Sequence, residues 1–247
     1  GGALSRESSD DAFSPQAGMV YQPDPATSFY VSYGESFAPI TSGTTANGDY
    51  LDPEEGQQFE AGAKRFWFDG KLLTTVAIYE ITKQNVSTPD PDNPNFRVQT
   101  GEQRSRGVEL DISGSPTEGL DMVLAMSVID AEVTEDNTFA VGSQLLGSAE
   151  FTASFWTKYT LQSGFAEGVS VGGGIFHVGD RQPALPNTTW SLPSYTRLDA
   201  MVSLPLDPIT IQLNVNNITD EDIYDLTSTS ILPQAPRSVF LRLSYDF

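Results

Sequence analysis

The sequence predicts an all-β protein built from about eleven antiparallel strands. Three observations carry this prediction. Apolar and polar residues alternate along most of the chain, the connections switch regularly between short and long, and no window shows the 3.6-residue period of an amphipathic helix. The 247 residues suffice for one large domain or two small ones. The sequence contains no run of 18 apolar residues, so no membrane-spanning helix is predicted.

Period-two alternation predicts the strands one by one. In the first half of the chain, Leu72, Val76 and Ile78 share one face of a strand, and Val108 and Leu110 share a face of the next one. In the second half the alternation continues over 151–155, 198–204, 209–216 and 238–247, where only Phe240 interrupts the polar set. The predicted strands are 14–22, 27–37, 56–68, 71–82, 97–114, 119–134, 148–161, 165–179, 194–205, 208–218 and 236–247.

The lengths of the connections predict the architecture. Five connections are short and contain turn-forming residues: 23–26, 69–70, 115–118, 162–164 and 206–207. The other five are long: 38–55, 83–96, 135–147, 180–193 and 219–235. Short and long connections alternate without exception, which is typical of an up-and-down transmembrane β-barrel with periplasmic turns and external loops. A soluble β-sandwich with Greek-key connections has no reason to sort its loops in this way.

The two faces of the predicted strands differ in polarity. The apolar face is expected to contact lipid, with Leu198, Val202, Ile211, Leu213, Leu241 and Leu243 among its members. Charges inside the strands are expected to face a wet lumen; they are Glu60, Lys64, Arg106, Glu109, Asp111, Arg197, Asp199 and Arg242. The alternative interpretation is a soluble sheet with one solvated face.

The odd strand number bears on domain organisation. Single-chain bacterial outer-membrane barrels have even strand numbers, and an open sheet leaves unsatisfied edges in lipid. We therefore expect residues 1–13 to be the stump of an external loop and 14–247 to be the C-terminal half of a barrel of about 22 strands. A plug domain and the first half of the barrel are expected to be absent from the sequence.

Eight blocks of sequence, in order, resemble one known family. Residues 33–39 (YGESFAP), 51–64 (LDPEEGQQFEAGAK) and 100–109 (TGEQRSRGVE) are three of the blocks. The others are 13–23, 81–86, 192–199 (LPSYTRLD), 213–220 (LNVNNITD) and 236–247. Together they resemble the TonB-dependent outer-membrane receptors of the siderophore-receptor type.

This resemblance implies a function. Such a receptor lies in the bacterial cell outer membrane and imports ferric siderophores with energy from the TonB complex. The expected partners are the ferric siderophore, outer-membrane lipid, the barrel-assembly machinery and, through an N-terminal part, TonB. The siderophore is cargo, and no cofactor or protein-held metal is expected.

Two groups of residues are candidate sites. The alternating Leu241, Leu243, Tyr245 and Phe247 resemble the C-terminal signal read by the barrel-assembly machinery, although a lipid-facing strand with interfacial aromatics explains them as well. The external-loop aromatics Tyr50, Phe139 and Trp190 are candidate substrate contacts, because siderophore pockets of the family are typically aromatic-lined. Anchoring at the membrane interface or packing within a loop is the alternative for each.

Catalysis is not expected from this composition. The chain has no Cys and a single His, His177, with no nucleophile elbow near it in the sequence, so the chain is predicted not to be an enzyme. Passive porins and adhesin barrels remain alternative functions, as does a soluble carbohydrate-binding β-sandwich.

Charge narrows the choice of partners. The chain carries 13 Lys and Arg against 33 Asp and Glu, a net charge of −20, which disfavours nucleic acid. The long connections, taken as 38–55, 83–97, 130–147, 180–193 and 219–235, hold 15 acidic and three basic residues. The negative electrostatic potential of these residues repels a trianionic ferric catecholate but not a neutral or cationic ferric hydroxamate. A hydroxamate-type or mixed ligand is therefore predicted.

Overall fold

The described residues, 12–227 and 230–245 of a computed structural model, form thirteen strands and no helix. Accordingly, this part of the chain contains no helix with the length and apolarity needed to span a membrane. The strands are β1 Gln16–Asp24, β2 Thr27–Ala38, β3 Glu54–Trp67, β4 Leu72–Pro89, β5 Arg97–Thr117, β6 Leu120–Glu135, β7 Phe151–Thr160, β8 Ser170–Val178, β9 Tyr195–Leu206, β10 Ile209–Asn216, β11 Tyr224–Leu226, β12 Ile231–Pro233 and β13 Ser238–Tyr245.

Eleven of these strands form one sheet in chain order. The order is β1 to β10 followed by β13, and every pairing in it is antiparallel. Strands β11 and β12 form a separate hairpin. Extensive contacts between strands join only neighbours in these two ladders. The predicted antiparallel meander is confirmed, and two packed layers, as in a β-sandwich, do not occur among the described residues.

The register of the sheet places the predicted apolar residues on one face. Leu213 of β10 lies opposite Val202 of β9 and Leu241 of β13. Leu198 lies opposite Ile175, and Ile211 lies opposite Leu243. Because directly opposed residues in a pleated sheet point to the same side, all six expected lipid-facing residues share a face.

This apolar face is uncovered. Ile78, Val108 and Leu241 are 57%, 49% and 65% exposed, although they lie in the middle of paired strands. A soluble sheet would bury such residues against a second layer, because each buried side chain of this size contributes about 1.5–3 kcal/mol. A continuous exposed apolar face on a single sheet is the surface that lipid covers.

Close packing is concentrated at the end of the sheet that carries the long connections. Leu51, Val133, Leu192 and Ile223 are almost fully buried there, as are the polar residues Thr88, Asp90, Ser143, Arg181 and Asn217. In the middle of the strands only Ala77 is buried to a similar degree among the described residues. The hydrophobic core of this chain therefore lies under its loops and not between layers.

The structure corrects one of the charges assigned to the lumen. Arg106 lies opposite Glu80 on β4 and Asp130 on β6, and it shares the face of Val108 two residues later. Its guanidinium donates two hydrogen bonds to Asp130, at 3.0 and 2.8 Å. Arg106 thus points outwards, where a charge marks the upper limit of the hydrocarbon and not the lumen wall.

Several boundaries also differ from the sequence prediction. Half of the connection predicted at 83–96 is strand, since β4 runs to Pro89 and 90–96 remain as loop. The predicted long loop 219–235 contains the hairpin of β11 and β12. Strand β8 begins at Ser170, so the turn before it, 161–169, is wider than predicted. The expected stump at 1–13 falls largely outside the described residues.

The length of β5, with which β4 pairs, shows why the end of β4 was missed. With 21 residues it is about 70 Å long, and at a tilt of about 40° it outreaches an apolar band about 25 Å tall. Its upper part has water on both sides, so the alternation of apolar and polar residues has no physical cause there. Asn85, at a positive φ of 57° and beside register shifts after Lys83, lies in the β4 segment paired with this upper part.

Placing arginine on the apolar face should destabilise the fold. Leu213→Arg in the full-length protein is expected to cost about 2–4 kcal/mol if this site is near the bilayer midplane, because the charge would enter hydrocarbon. Asn214→Arg on the opposite face is the matched control and should cost less than half as much. Urea unfolding in lipid vesicles measures both; equal costs would show that the faces are assigned wrongly.

Candidate functional site

The face opposite the apolar one is lined by polar and charged side chains. Between β5 and β9 it forms a groove of about 400 Å³, whose walls carry Glu109 and Asp111 on one side and Phe176 and Arg197 on the other. Small polar residues form its floor, where the hydroxyls of Ser127 and Thr152 are 2.7 Å apart. The groove therefore offers charged, hydroxyl and apolar contacts to an occupant.

Charged groups on this lumen face hold one another in place. The guanidinium of Arg197 lies 4.7 Å from the ring centre of Phe176 and 3.2 Å from the carboxylate of Asp199. Asp199 in turn accepts the backbone N–H of Asn217 at 2.9 Å, which fixes the start of the last external loop. At the other end of the sheet, Tyr30 donates a hydrogen bond of 2.6 Å to Glu60.

Large side chains on the lumen face lie over glycines of the next strand. A Cβ added at Gly174 would come within 2.4 Å of the Trp156 ring, and one at Gly62 within 2.6 Å of the Tyr30 ring. Gly107 stands in the same relation to Tyr79. The rings therefore lie flat on the sheet, and the lumen wall stays smooth although it carries aromatic residues.

The first external loop, 39–53, is fastened to the top of β4 and β5. The Asp52 backbone N–H donates to Oε1 of Gln99 at 2.7 Å, and Nε2 of Gln99 donates to the Asp52 carbonyl at 2.6 Å. The side chain of Asn85 donates to the Pro53 carbonyl at 3.2 Å. Leu51 is 3% exposed beneath this loop. Hydrogen bonds from the side-chain amides of Gln99 and Asn85 thus hold the loop in place where the backbone hydrogen bonds between strands end.

The third and fourth external loops, 136–150 and 179–194, are joined in a similar way. Asn187 accepts the Gln144 N–H and donates to the Gln144 carbonyl, both at 2.8 Å. The backbone N–H of Gly147 donates to the Gln182 carbonyl at 3.0 Å. Arg181 extends this assembly to the fifth loop, 217–237, by donating to the Tyr224 carbonyl at 3.0 Å.

The three candidate substrate contacts lie on three different loops at this end. Tyr50 is 45% exposed and pairs with Thr44 in an isolated bridge of the first loop. Phe139 is half-buried, in a turn whose backbone N–H groups donate to Asp136. Trp190 is 52% exposed in the fourth loop. Their role as substrate contacts stays a prediction.

The candidate assembly signal is partly described. Leu241, Leu243 and Tyr245 of β13 are all exposed on the apolar face, at 65%, 65% and 62%. Phe247 lies outside the described residues. The alternation fits an outward-facing strand, and its reading by the assembly machinery stays a prediction.

Ion pairs reduce the excess of negative charge that the sequence predicts at the external loops. Arg104 and Arg106, which lie in β5 and outside the loops, form ion pairs with Glu132 at 2.6 Å and with Asp130 at 2.8 Å. Arg237 lies 3.6 Å from Asp220. The loop end therefore remains acidic, but three of its carboxylates are neutralised by arginines that the sequence windows left out.

Comparisons with known proteins place the chain in a family. The family model described as "TonB dependent receptor-like, beta-barrel" matches residues 1–218. The chain belongs to this family, whose members are β-barrel proteins of the outer membrane, and the resemblance inferred from the sequence is confirmed.

Individual relatives are receptors and transporters. The metal-pseudopaline receptor of Pseudomonas aeruginosa is 35% identical over 246 residues, which cover 98% of this chain and 35% of the relative. The ferrichrome outer membrane transporter/phage receptor of Escherichia coli is 32% identical, covering 86% and 29%. The crystal structure of the ferric preacinetobactin receptor of Acinetobacter baumannii superposes with a TM-score of 0.85 at 26% identity, covering 99% and 38%. The chain thus spans about a third of the length of the relatives it matches.

The packing of rings on glycines gives a direct test of the lumen face. Gly174→Ala should displace the Trp156 ring and destabilise the protein by about 1–3 kcal/mol through overpacking. Gly173→Ala is the matched control, since its Cβ would meet nothing closer than the Asp199 carbonyl oxygen at 3.5 Å. Tryptophan fluorescence and urea unfolding report both effects. An equal response of the two variants would refute the proposed packing.

Proposed function

We propose that this chain is the C-terminal half of a receptor barrel of about 22 strands that imports a ferric siderophore across the outer membrane with energy from the TonB complex. The observation that carries the proposal is a single sheet, apolar on one face and charged on the other, in a chain of the TonB-dependent receptor family. A chain of this kind contributes half of the lumen wall and five external loops.

The two edges of the sheet support the size of the proposed barrel. Strands β1 and β13 each pair on one side only within the described sheet. In hydrocarbon their free N–H and C=O groups would each cost several kcal/mol, so the membrane form requires partner strands on both sides. Eleven further strands would complete a barrel of the size that encloses a plug.

Charge supports a hydroxamate-type or mixed cargo. Even after the ion pairs of Arg104, Arg106 and Arg237, the external end of the sheet carries a clear excess of carboxylates. A trianionic catecholate approaching this mouth meets repulsion, whereas a neutral or cationic ferric hydroxamate does not.

A second cargo has its own support. The relative with 35% identity is a receptor for metal-pseudopaline, so uptake of another metal–ligand complex is the alternative to iron uptake. In both cases the lumen groove near Glu109 and Arg197 lines the path through the barrel and the external loops make the first contact.

Binding measured at two salt concentrations tests the cargo class. The full-length receptor should bind a ferric hydroxamate more tightly than a size-matched ferric catecholate in 10 mM salt. This preference should shrink at 0.5 M salt, where charges beyond a few ångströms are screened. Tighter catecholate binding at low salt would refute the hydroxamate assignment. Uptake of a metal-pseudopaline complex without uptake of either iron complex would favour the alternative cargo.

Trp190 tests the role of the external loops. Trp190→Ala should weaken ligand binding by about tenfold or more, as the loss of an aromatic contact in a pocket does. Trp67→Ala is the control, because Trp67 ends β3 beside the short turn at the opposite end of the sheet. Isothermal titration of the folded variants gives the comparison. Equal affinities of the two variants would remove Trp190 from the binding site.

A further inference from the structure

Arg181 is a buried cation in the external loops. The residue is 8% exposed, and no carboxylate forms an ion pair with it among the described residues. Its Nε is enclosed without a hydrogen-bond acceptor. Burying a guanidinium without a counter-ion is costly, so the contacts that it does make have to offset that cost.

Those contacts reach three loops. The side chain donates to the Tyr224 carbonyl of the fifth loop at 3.0 Å and lies 5.6 Å from the ring centre of Tyr195. The backbone of Arg181 forms hydrogen bonds in both directions with Leu192, which closes the fourth loop. It also forms a bridge with Ala149 at the end of the third loop. Arg181 is therefore the point at which loops 136–150, 179–194 and 217–237 meet.

We propose that Arg181 locks these three loops, here named the three-loop wall, into one rigid body. Tyr224 lies 43 residues from Arg181 in the chain, and Ala149, Leu192 and Ile223, one from each loop, are all buried. A rigid wall holds Phe139 and Trp190 at fixed positions relative to each other. The first loop is fastened separately, through Gln99, and so lies outside this unit.

The lock has a consequence for coupling between loops. Because the relative positions of the three loops are already set, a contact that orders one loop also orders the other two. The conformational entropy is then lost once for the whole wall and not separately for each loop. This consequence depends on the hydrogen bonds of Arg181 and not on the identity of the cargo. It can therefore be tested without any ligand.

Hydrogen exchange in the ligand-free, full-length receptor tests the proposal. Arg181→Ala should speed exchange by about tenfold or more in the third and the fifth loop together, since the substitution removes the hydrogen bond to the Tyr224 carbonyl and also the buried side chain where the loops meet. The Gly147 amide, which donates to the Gln182 carbonyl, is one reporter, and the Gln234 amide, which donates to Ile223, is the other. The urea midpoint of the barrel should stay unchanged, which separates loop positioning from loss of the fold.

Two further variants make the outcome specific. Asn187→Ala breaks the link to Gln144 and a hydrogen bond to the Ala184 carbonyl within the fourth loop, so it should speed exchange in the third and fourth loops and leave Gln234 protected. Arg237→Ala is the matched control, because this exposed arginine contacts Ile218 and Asp220 within its own loop. It should leave Gly147 protected. If Arg181→Ala affects the fourth or the fifth loop alone, or no loop more than Arg237→Ala does, the lock does not exist.

Discussion

The need to satisfy every backbone hydrogen bond inside hydrocarbon determines most of what this chain looks like. An unpaired peptide group costs several kcal/mol in a bilayer, so strands that cross it have to be paired along their whole membrane-embedded length. The simplest solution joins each strand to its neighbour in sequence, and the sheet has that order from β1 to β10. Neighbouring strands then cross the membrane in opposite directions, so the connections lie in turn on the periplasmic and the external side. The short connections lie on the first side and the long ones on the second.

In this sheet the usual arrangement of a water-soluble protein, with apolar residues inside and polar residues outside, is reversed. Apolar side chains such as Leu241 stay exposed because lipid covers them, whereas the charged side chains of Glu109 and Arg197 line the enclosed face. The residues that pack as a core does, among them Leu51 and Leu192, gather under the external loops, where water returns and hydrophobic burial is again favourable. Two different interactions thus stabilise the chain. Backbone hydrogen bonds between strands hold the part in the membrane, and hydrophobic packing holds the external loops above it.

The part of the fold that obeys local rules could be predicted from sequence. Turn residues and the two-residue period located nine of the eleven sheet strands to within three residues at each end, and Val202, Leu213 and Leu241 were correctly placed on one face. Arg106 was misplaced although its spacing from Val108 already shows its face. The upper part of β4 escaped prediction because a strand wetted on both sides needs no alternation, and three-residue strands such as β11 leave almost no pattern.

The candidate site was less accessible to sequence analysis. Aromatic residues in long connections are visible as such, but the contacts that position them join residues 43 or 47 positions apart, as Arg181 with Tyr224 and Asp52 with Gln99 do. Such pairs use ordinary Arg, Gln and Asn side chains bonded to backbone groups, and no spacing rule singles them out. The arginine that meets three loops therefore became visible only in three dimensions.

The central claim is that one face of the sheet contacts lipid and the other an aqueous lumen. Because this chain has no cysteine of its own, single cysteines can be introduced at 210 to 215 of β10 in the full-length receptor, with any cysteine outside this chain replaced, then spin-labelled and measured in vesicles. The structure predicts that Ile211, Leu213 and Val215 positions collide with oxygen dissolved in the bilayer, while Thr210, Gln212 and Asn214 positions collide with a water-soluble nickel chelate. Six positions with the same accessibility, or the reversed alternation, would contradict the account.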